Sequence, residues 1–257
     1  MIFADEESLR EKVANYLAAT PGLQEAIDKV VGPIIKAGGT PYYFGGFLRS
    51  CYMGLPVNDI DIVVCNLNCR LENVAGSVFV EIEDDGEGIE GAEYASSVTV
   101  DGFDFDVWRI EESWAFNNSS SLSAIPNYLP LTTHLNLEAV TMMVKPQGFG
   151  HRQAVYSKGF FEGVRDKTIR VNSEDNSSSI NCTLRALLLA ARTGFSIYMS
   201  VAGYIAYNIQ ITPDAAYSEW QIEKYGKVLI SRDDTIDICA DVLKGTNVVI
   251  AERMLKQ

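Results

Sequence analysis

Residues 42–64 read YYFGGFLRSCYMGLPVNDIDIVV. The segment opens in a β-rich run and breaks at Gly45-Gly46. FLRSCYMG then has helical spacing and ends at Gly54, and the chain returns to strand composition in DIDIVVC. Strand, glycine turn, helix and strand follow one another within little more than twenty residues. Glycines between a strand and a helix let the backbone approach a ligand closely and aim free N–H groups at an anion. Arg49, one turn into the helix, reaches toward the same place. Asp59 and Asp61 stand at i and i+2, so in a strand their carboxylates share one face while Ile60 and Ile62 share the other.

Further along, FDFDVW repeats the device. Asp104 and Asp106 share a face, with Phe103, Phe105 and Val107 opposite. Carboxylates converging from adjacent strands repel one another unless cations neutralise them. Magnesium is a fitting occupant, because it takes carboxylate oxygens together with substrate phosphates. Taken alone, alternating aspartates read first as the wet side of a half-exposed sheet, and a glycine pair alone reads first as a tight turn. The glycine turn beside the carboxylates gives the stretch its chemical reading.

Outward from this centre, DEESLREKVANYLAAT and PGLQEAIDKVVGPIIKAGG predict two packing helices within residues 5–38. The second is expected to start on Thr20 and Pro21 and to stop at Gly38-Gly39. GSVFVEI, SSVTV and FDFDVWRI read as further strands, with the acidic EDDGEGIEGAE as an exposed connection between the first two. After the Ser/Asn-rich NSEDNSSS the pattern is helical: INCTLRALLLAARTGF, TPDAAYSEWQIEKYG, SRDDTIDICADVLKG and TNVVIAERMLKQ. The expected fold class is therefore α+β. A mixed head spans residues 1–172 and a smaller helical domain spans 173–257.

The 257 residues are 47% hydrophobic and 21% charged, the composition of a folded globular protein. No leader and no bilayer-length apolar run is visible, so a cytoplasmic location without membrane attachment is expected. Five cysteines with no secretory context read as reduced thiols, and Cys65 and Cys69 have no companion pair for zinc. The 34 acidic and 21 basic residues give a net charge of −13, which opposes general affinity for nucleic acid. The charge is uneven, however. Residues 145–170 hold Lys145, Arg152, Lys158, Arg165, Lys167 and Arg170 against Glu162 and Asp166, a basic strip that would suit RNA or would simply be a solvated face.

FGGFLRSCYMGLPVNDIDIVV resembles the GGxVRDxxLGxxxxDxDI signature of the class II nucleotidyltransferases of the DNA polymerase beta superfamily, the poly(A) polymerase and CCA-adding group. DFDVWRI resembles the strand carrying that family's third carboxylate. THLNLEAVTM resembles its RDFTINAM segment, GFFEGVRDKTIRVN its GGxEDLKxKxIRVV, and TLRALLLAARTGFSI the LRAxRFAARLGF opening of its neck. The resemblance runs from residue 42 to 197. It implies a head domain with a mostly antiparallel or mixed sheet flanked by helices, followed by a helical neck, in a form lacking the family's body and tail.

The same resemblance implies roles. Asp59, Asp61 and Asp106 would be the catalytic and metal-binding carboxylates, with Asp106 preferred to Asp104 because it begins DVWR. Gly45, Gly46 and Arg49 would hold the triphosphate. Asn136 and Glu138 fall where the family contacts the nucleotide sugar, with Glu138 standing in place of an Asn, and Arg185 and Arg192 would line the nucleotide cleft. Ser50 replaces the family's Asp after the Arg, and the neck's Glu-Asp-x-x-Arg motif is absent. The implied activity is metal-dependent transfer of NMP from an NTP to a hydroxyl. ATP is the first choice of substrate, Mg2+ or Mn2+ the cofactor, and an RNA 3′ end stands narrowly ahead of a protein side chain as acceptor. The rival reading is a catalytically silent nucleotide-binding module, such as a toxin–antitoxin component.

Overall fold

The computed structural model describes residues 2–79, 96–118, 123–145, 152–173, 179–246 and 248–254. The acidic connection at 83–93, the end of the strand expected in GSVFVEI, His151 and most of NSEDNSSS lie outside these. Residues 76–79, the described part of GSVFVEI, are not in a strand. The chain forms two compact units, Met1–Thr133 with Glu138–Phe160, and His134–Leu137 with Phe161–Gln257. The contacts thus group the residues differently from the division at 172 expected from composition, because residues 134–137 and 161–172 group with the second unit.

The first unit opens with α1 (Ile2–Ala19) and α2 (Leu23–Lys36), followed by β1 (Thr40–Phe44), α3 (Gly46–Met53) and β2 (Ile60–Cys65). Next come β3 (Ser96–Val100), β4 (Phe103–Arg109), the short α4 (Trp114–Asn118), β5 (Val140–Met143) and β6 (Val155–Ser157). The start of α2 differs from expectation. Thr20 donates its hydroxyl back to Tyr16 O at 2.9 Å and so closes α1. Gly22, left-handed at φ 80°, takes the cap position of α2 instead. A threonine hydroxyl at this junction can serve either helix, and here the preceding carbonyl is the nearer acceptor.

The six strands form one mixed sheet in the order β3-β4-β2-β1-β5-β6, in which β2 and β4 are parallel and the other pairs antiparallel. Alternation sorts the side chains onto two faces. Ile60, Ile62, Val64, Phe105, Val107 and Tyr43 are all buried on one of them. Tyr43 packs on Phe47 of α3 with ring centroids 4.9 Å apart. The opposite face carries a second cluster of Tyr42, Val63, Cys65, Ile110, Leu129 and Met143, with Phe44 and Trp108 packed against it. Gly39 shows how tightly the first layer closes, since a Cβ there would stand 2.7 Å from Ile34 Cγ2 and 3.1 Å from Val64 Cγ1. With both faces of the central strands buried, a polar residue in them is costly unless it lies at a strand end. Asp61 lies near the start of β2, whereas Asp106 sits midway along β4, partly buried and bonded by the Ser97 hydroxyl.

The second unit contains α5 (Phe160–Asp166, from Phe161 onward), β7 (Thr168–Ile169), α6 (Ser179–Thr193), β8 (Ser196–Ile197), α7 (Met199–Ile211), α8 (Asp214–Tyr225), α9 (Arg232–Leu243) and α10 (Ile250–Met254). β7 and β8 pair in parallel. Leu184, Leu187, Val201, Ile205, Tyr217 and Ile238 are among its buried side chains. Ser231 caps α9 by accepting from Asp234 N at 3.0 Å, and left-handed Gly226 closes α8, as the sequence signals suggest. No helix among the described residues is long and apolar enough to cross a membrane.

Candidate active site at the β2–β4 edge and the start of α3

The parallel pairing of β2 with β4 sets Asp61 directly opposite Asp106. Neighbouring strands lie about 4.8 Å apart and directly paired residues share a face, so the two carboxylates stand side by side. Asp59, just before β2, and Asp104, two residues before Asp106, are exposed, whereas Asp61 and Asp106 are partly buried. Thr99 and Ser97 on β3 sort the two β4 aspartates. The Thr99 hydroxyl donates to Asp104 Oδ1 at 2.6 Å, and the Ser97 hydroxyl donates to Asp106 Oδ1 at 2.5 Å.

Burial raises the Asp106 carboxyl above the usual carboxylate range. The Ser97 hydrogen bond pulls it back, and the charges of Asp59 and Asp104 push it up again. A carboxylate in that position gains from a cation. Among the described residues no group of three His, Cys, Asp or Glu side chains forms a ready ligand set. The expected triad of Asp59, Asp61 and Asp106 is therefore a facing pair with a third charge nearby. Two carboxylates fit a magnesium-like ion, which fills its remaining positions with phosphate oxygens and water.

The glycine turn lies beside this pair. Gly45 adopts φ 54°, ψ −112°, a conformation open to glycine and strained for other residues. Its N–H donates to Val140 O at 3.0 Å, which ties the turn to β5. Its carbonyl accepts from Arg49 N at 3.1 Å, starting α3 at Gly46. The first N–H groups of a helix have no carbonyl of their own helix to bond, which makes them anion donors. A Cβ on Gly46 would stand 3.5 Å from Asp61 Oδ2 and 3.7 Å from Arg49 Nη2. One small space thus has a glycine helix start as its floor and a carboxylate and a guanidinium at its edges.

Arg49 is held from its other side. Its Nη1 donates to Glu138 Oε1 at 2.7 Å, with the two side chains only 13% and 6% exposed. Nε of Arg49 is buried and has no hydrogen-bond partner among the described residues. Glu138 is thus placed against the arginine expected to hold the triphosphate. The spacing of residues 49 and 138 in sequence gives no signal for this pairing.

The remaining expected site residues belong to the second unit. Asn136 has both amide atoms engaged with backbone: Nδ2 donates to Thr168 O at 3.1 Å and Oδ1 accepts from Arg170 N at 2.9 Å. Arg185 and Arg192 are exposed, one face of α6 apart from its buried Leu184 and Leu187. Of the basic strip, Lys145 pairs with Asp28 at 2.8 Å and Arg152 with Glu7 at 3.1 Å in the first unit. In the second unit Arg165 pairs with Asp166 at 3.6 Å, and Arg170 lies 4.0 Å over the ring of Tyr198. Acidic neighbours therefore offset half of the strip. All five cysteines are free thiols.

Solved structures share this arrangement of elements. The chain is similar to a Thermotoga maritima CCA-adding enzyme complexed with tRNA at TM-score 0.58 and 15% identity, covering 92% of this chain and 53% of that one. It is similar to a tRNA nucleotidyltransferase complexed with a primer tRNA and an incoming ATP analogue at TM-score 0.55 and 16% identity, covering 88% and 63%. A CCA-adding enzyme complexed with ATP aligns at TM-score 0.57 and 16% identity, covering 89% and 53%. The fold is that of the tRNA nucleotidyltransferases. The chain spans a little over half the length of these proteins. No protein-family profile and no curated protein sequence matches it.

Proposed function

We propose that the protein is a metal-dependent nucleotidyltransferase that moves NMP from an NTP to a hydroxyl acceptor, with ATP as the first substrate to test. The observation that carries this reading is the facing of Asp61 and Asp106 beside the glycine start of α3. A binding module has no need of two facing carboxylates, one of them with its acidity depressed by burial. Asp61 and Asp106, with Asp59 beside them, would hold Mg2+ or Mn2+. A bound divalent ion supplies activation of the attacking hydroxyl and neutralises charge on the phosphates.

The chain's own groups do the rest. The Gly45-Gly46 turn and the first N–H groups of α3 receive the β and γ phosphates, and Arg49 neutralises their charge. The acceptor hydroxyl attacks the α-phosphorus and gives up its proton to solvent, the bond from that phosphorus to the bridging oxygen breaks, and pyrophosphate leaves. An RNA 3′ end is preferred as acceptor, because the solved structures of the same fold include complexes with tRNA. The half-paired basic strip and the charge of −13 favour a protein hydroxyl instead, which keeps that acceptor as the second reading.

The test is incorporation of label from each of four α-labelled NTPs, with Mg2+ or Mn2+, into macromolecules of a cell extract, with Asp61→Ala as control. RNase-sensitive label is the expected result, and protease-sensitive label would move the acceptor to protein. Nucleotide binding without label above the control would leave the silent module as the better description.

A further inference from the structure

We propose that Glu138 is a positioning residue that fixes the guanidinium of Arg49 for the triphosphate; this rests on the nucleotidyltransferase reading above. Arg49 is four residues past Gly45 on α3, and its long side chain has many rotamers to choose from. Two carboxylates flank it. Glu138 takes Nη1 at 2.7 Å from the side of β5, while Asp61 Oδ2 and Arg49 Nη2 both lie within 4 Å of the point where a Gly46 Cβ would be. A guanidinium free to move beside Asp61 and Asp106 is drawn toward those carboxylates, where it competes with the metal and abandons the phosphates. Glu138 removes that freedom. It is buried and acts at one corner of the fork, so Nη2 and the unpartnered Nε keep their donors for an incoming anion.

Glu138 is thereby distinguished from a residue that contacts the nucleotide. Its effect must pass through Arg49 and must be felt by the phosphates but not by the nucleoside. The whole chain is titrated with a fluorescent ATP analogue in the presence of Mg2+, and the analogue is displaced with inorganic tripolyphosphate and, separately, with adenosine. Glu138→Ala is expected to weaken ATP-analogue and tripolyphosphate binding by about tenfold, within the range that coupled neighbours show. Adenosine affinity should stay as in the wild type. Glu138→Gln, whose amide oxygen still accepts from Nη1, should stay within roughly threefold of the wild type.

In an Arg49→Ala background, Glu138→Ala should cost no further affinity. Circular dichroism establishes that each variant is folded. If Glu138→Ala does not fold, Glu138→Asp, one methylene too short to reach Nη1, takes its place in the cycle with the same expectation. Equal losses in the two backgrounds, an unchanged or tighter tripolyphosphate affinity, or a loss shared by adenosine would each overturn the positioning role while leaving the nucleotidyltransferase reading intact. A wild-type chain that binds neither the ATP analogue nor tripolyphosphate would overturn both.

Discussion

Asn136 and Glu138 are two residues apart in one 3-10 turn, equally buried at 4% exposure, and belong to different compact units. Asn136 places both amide atoms on the backbone of residues 168–170, closing a polar clamp within the second unit. Glu138 places a charge on Arg49 beside the carboxylates of the first unit. A buried polar group saturated by backbone holds a fold together. A buried charge paired with another charge beside a glycine helix start has the layout expected of an anion site. The comparison assigns structure to Asn136 and chemistry to the surroundings of Glu138, and four experiments can break or sharpen it.

The largest effect should fall on the facing carboxylates. Asp61→Ala and Asp106→Ala should each lower NMP transfer by about a thousandfold or more, the scale of the several kcal/mol that a bound cation contributes to a charged transition state. Both variants should keep a wild-type circular dichroism spectrum. Activity surviving in either would separate the β2–β4 pair from catalysis.

Next comes the clamp. A Cβ on Gly163 would run into Asn136 Nδ2 and lie 3.0 Å from Leu137 Cδ2. Gly163→Ala should therefore destabilise the chain by about 1–3 kcal/mol, the usual range for overpacking, as read by urea unfolding. Asn136→Ala leaves Thr168 O and Arg170 N without their side-chain partner and should cost a similar or slightly smaller amount, about 1–3 kcal/mol. In both variants ATP-analogue affinity of the folded protein should equal that of the wild type. A selective loss of nucleotide affinity in Asn136→Ala would restore that residue to the nucleotide site.

The smallest effect concerns the stability of Asp106→Asn. Burial and the neighbouring Asp59 and Asp104 charges raise the native carboxyl above its unfolded value. The native state therefore holds its proton to higher pH than the unfolded state. Stability from this group is greatest below the unfolded carboxylate pKa, about 3.9, and falls as pH rises through the higher native value. Asn carries no such penalty. The variant should accordingly have a higher urea midpoint than the wild type at pH 7, and the difference should shrink at pH 4. A lower midpoint at pH 7 would mean that Asp106 is stabilised by its surroundings rather than strained by them.

Local physics made much of the fold legible. The glycine turn, the helix from Gly46 and strands β1 to β4 follow from period-2 alternation and from breaker residues. β5 and β6 carry no such signal: VTMM is a short apolar run buried on both sides, compatible with either periodicity. α7 is apolar on most of its circumference and so lacks the amphipathic stripe that would mark it. Of the candidate site, Gly45, Gly46, Arg49, Asp61 and Asp106 each stand within a short motif that the sequence alone displays. The partnership of Glu138 with Arg49 is not displayed there, because the two are joined only through β5 lying beside β1 in the sheet.

The sequence by itself determined that Asp59 with Asp61, and Asp104 with Asp106, each project to one side, because a strand repeats every two residues. It also determined that the chain must turn at Gly45, because the backbone there takes a conformation that side chains disfavour. Only the tertiary structure decided that β2 and β4 run parallel in the register that brings Asp61 to Asp106, and that Ser97 and Thr99 sort the β4 pair. It alone set Glu138 against Arg49 and Asn136 against the backbone of residues 168–170. Register and pairing across tens of residues are set by how the two buried faces of the sheet fill, and no local pattern in the chain encodes that sum.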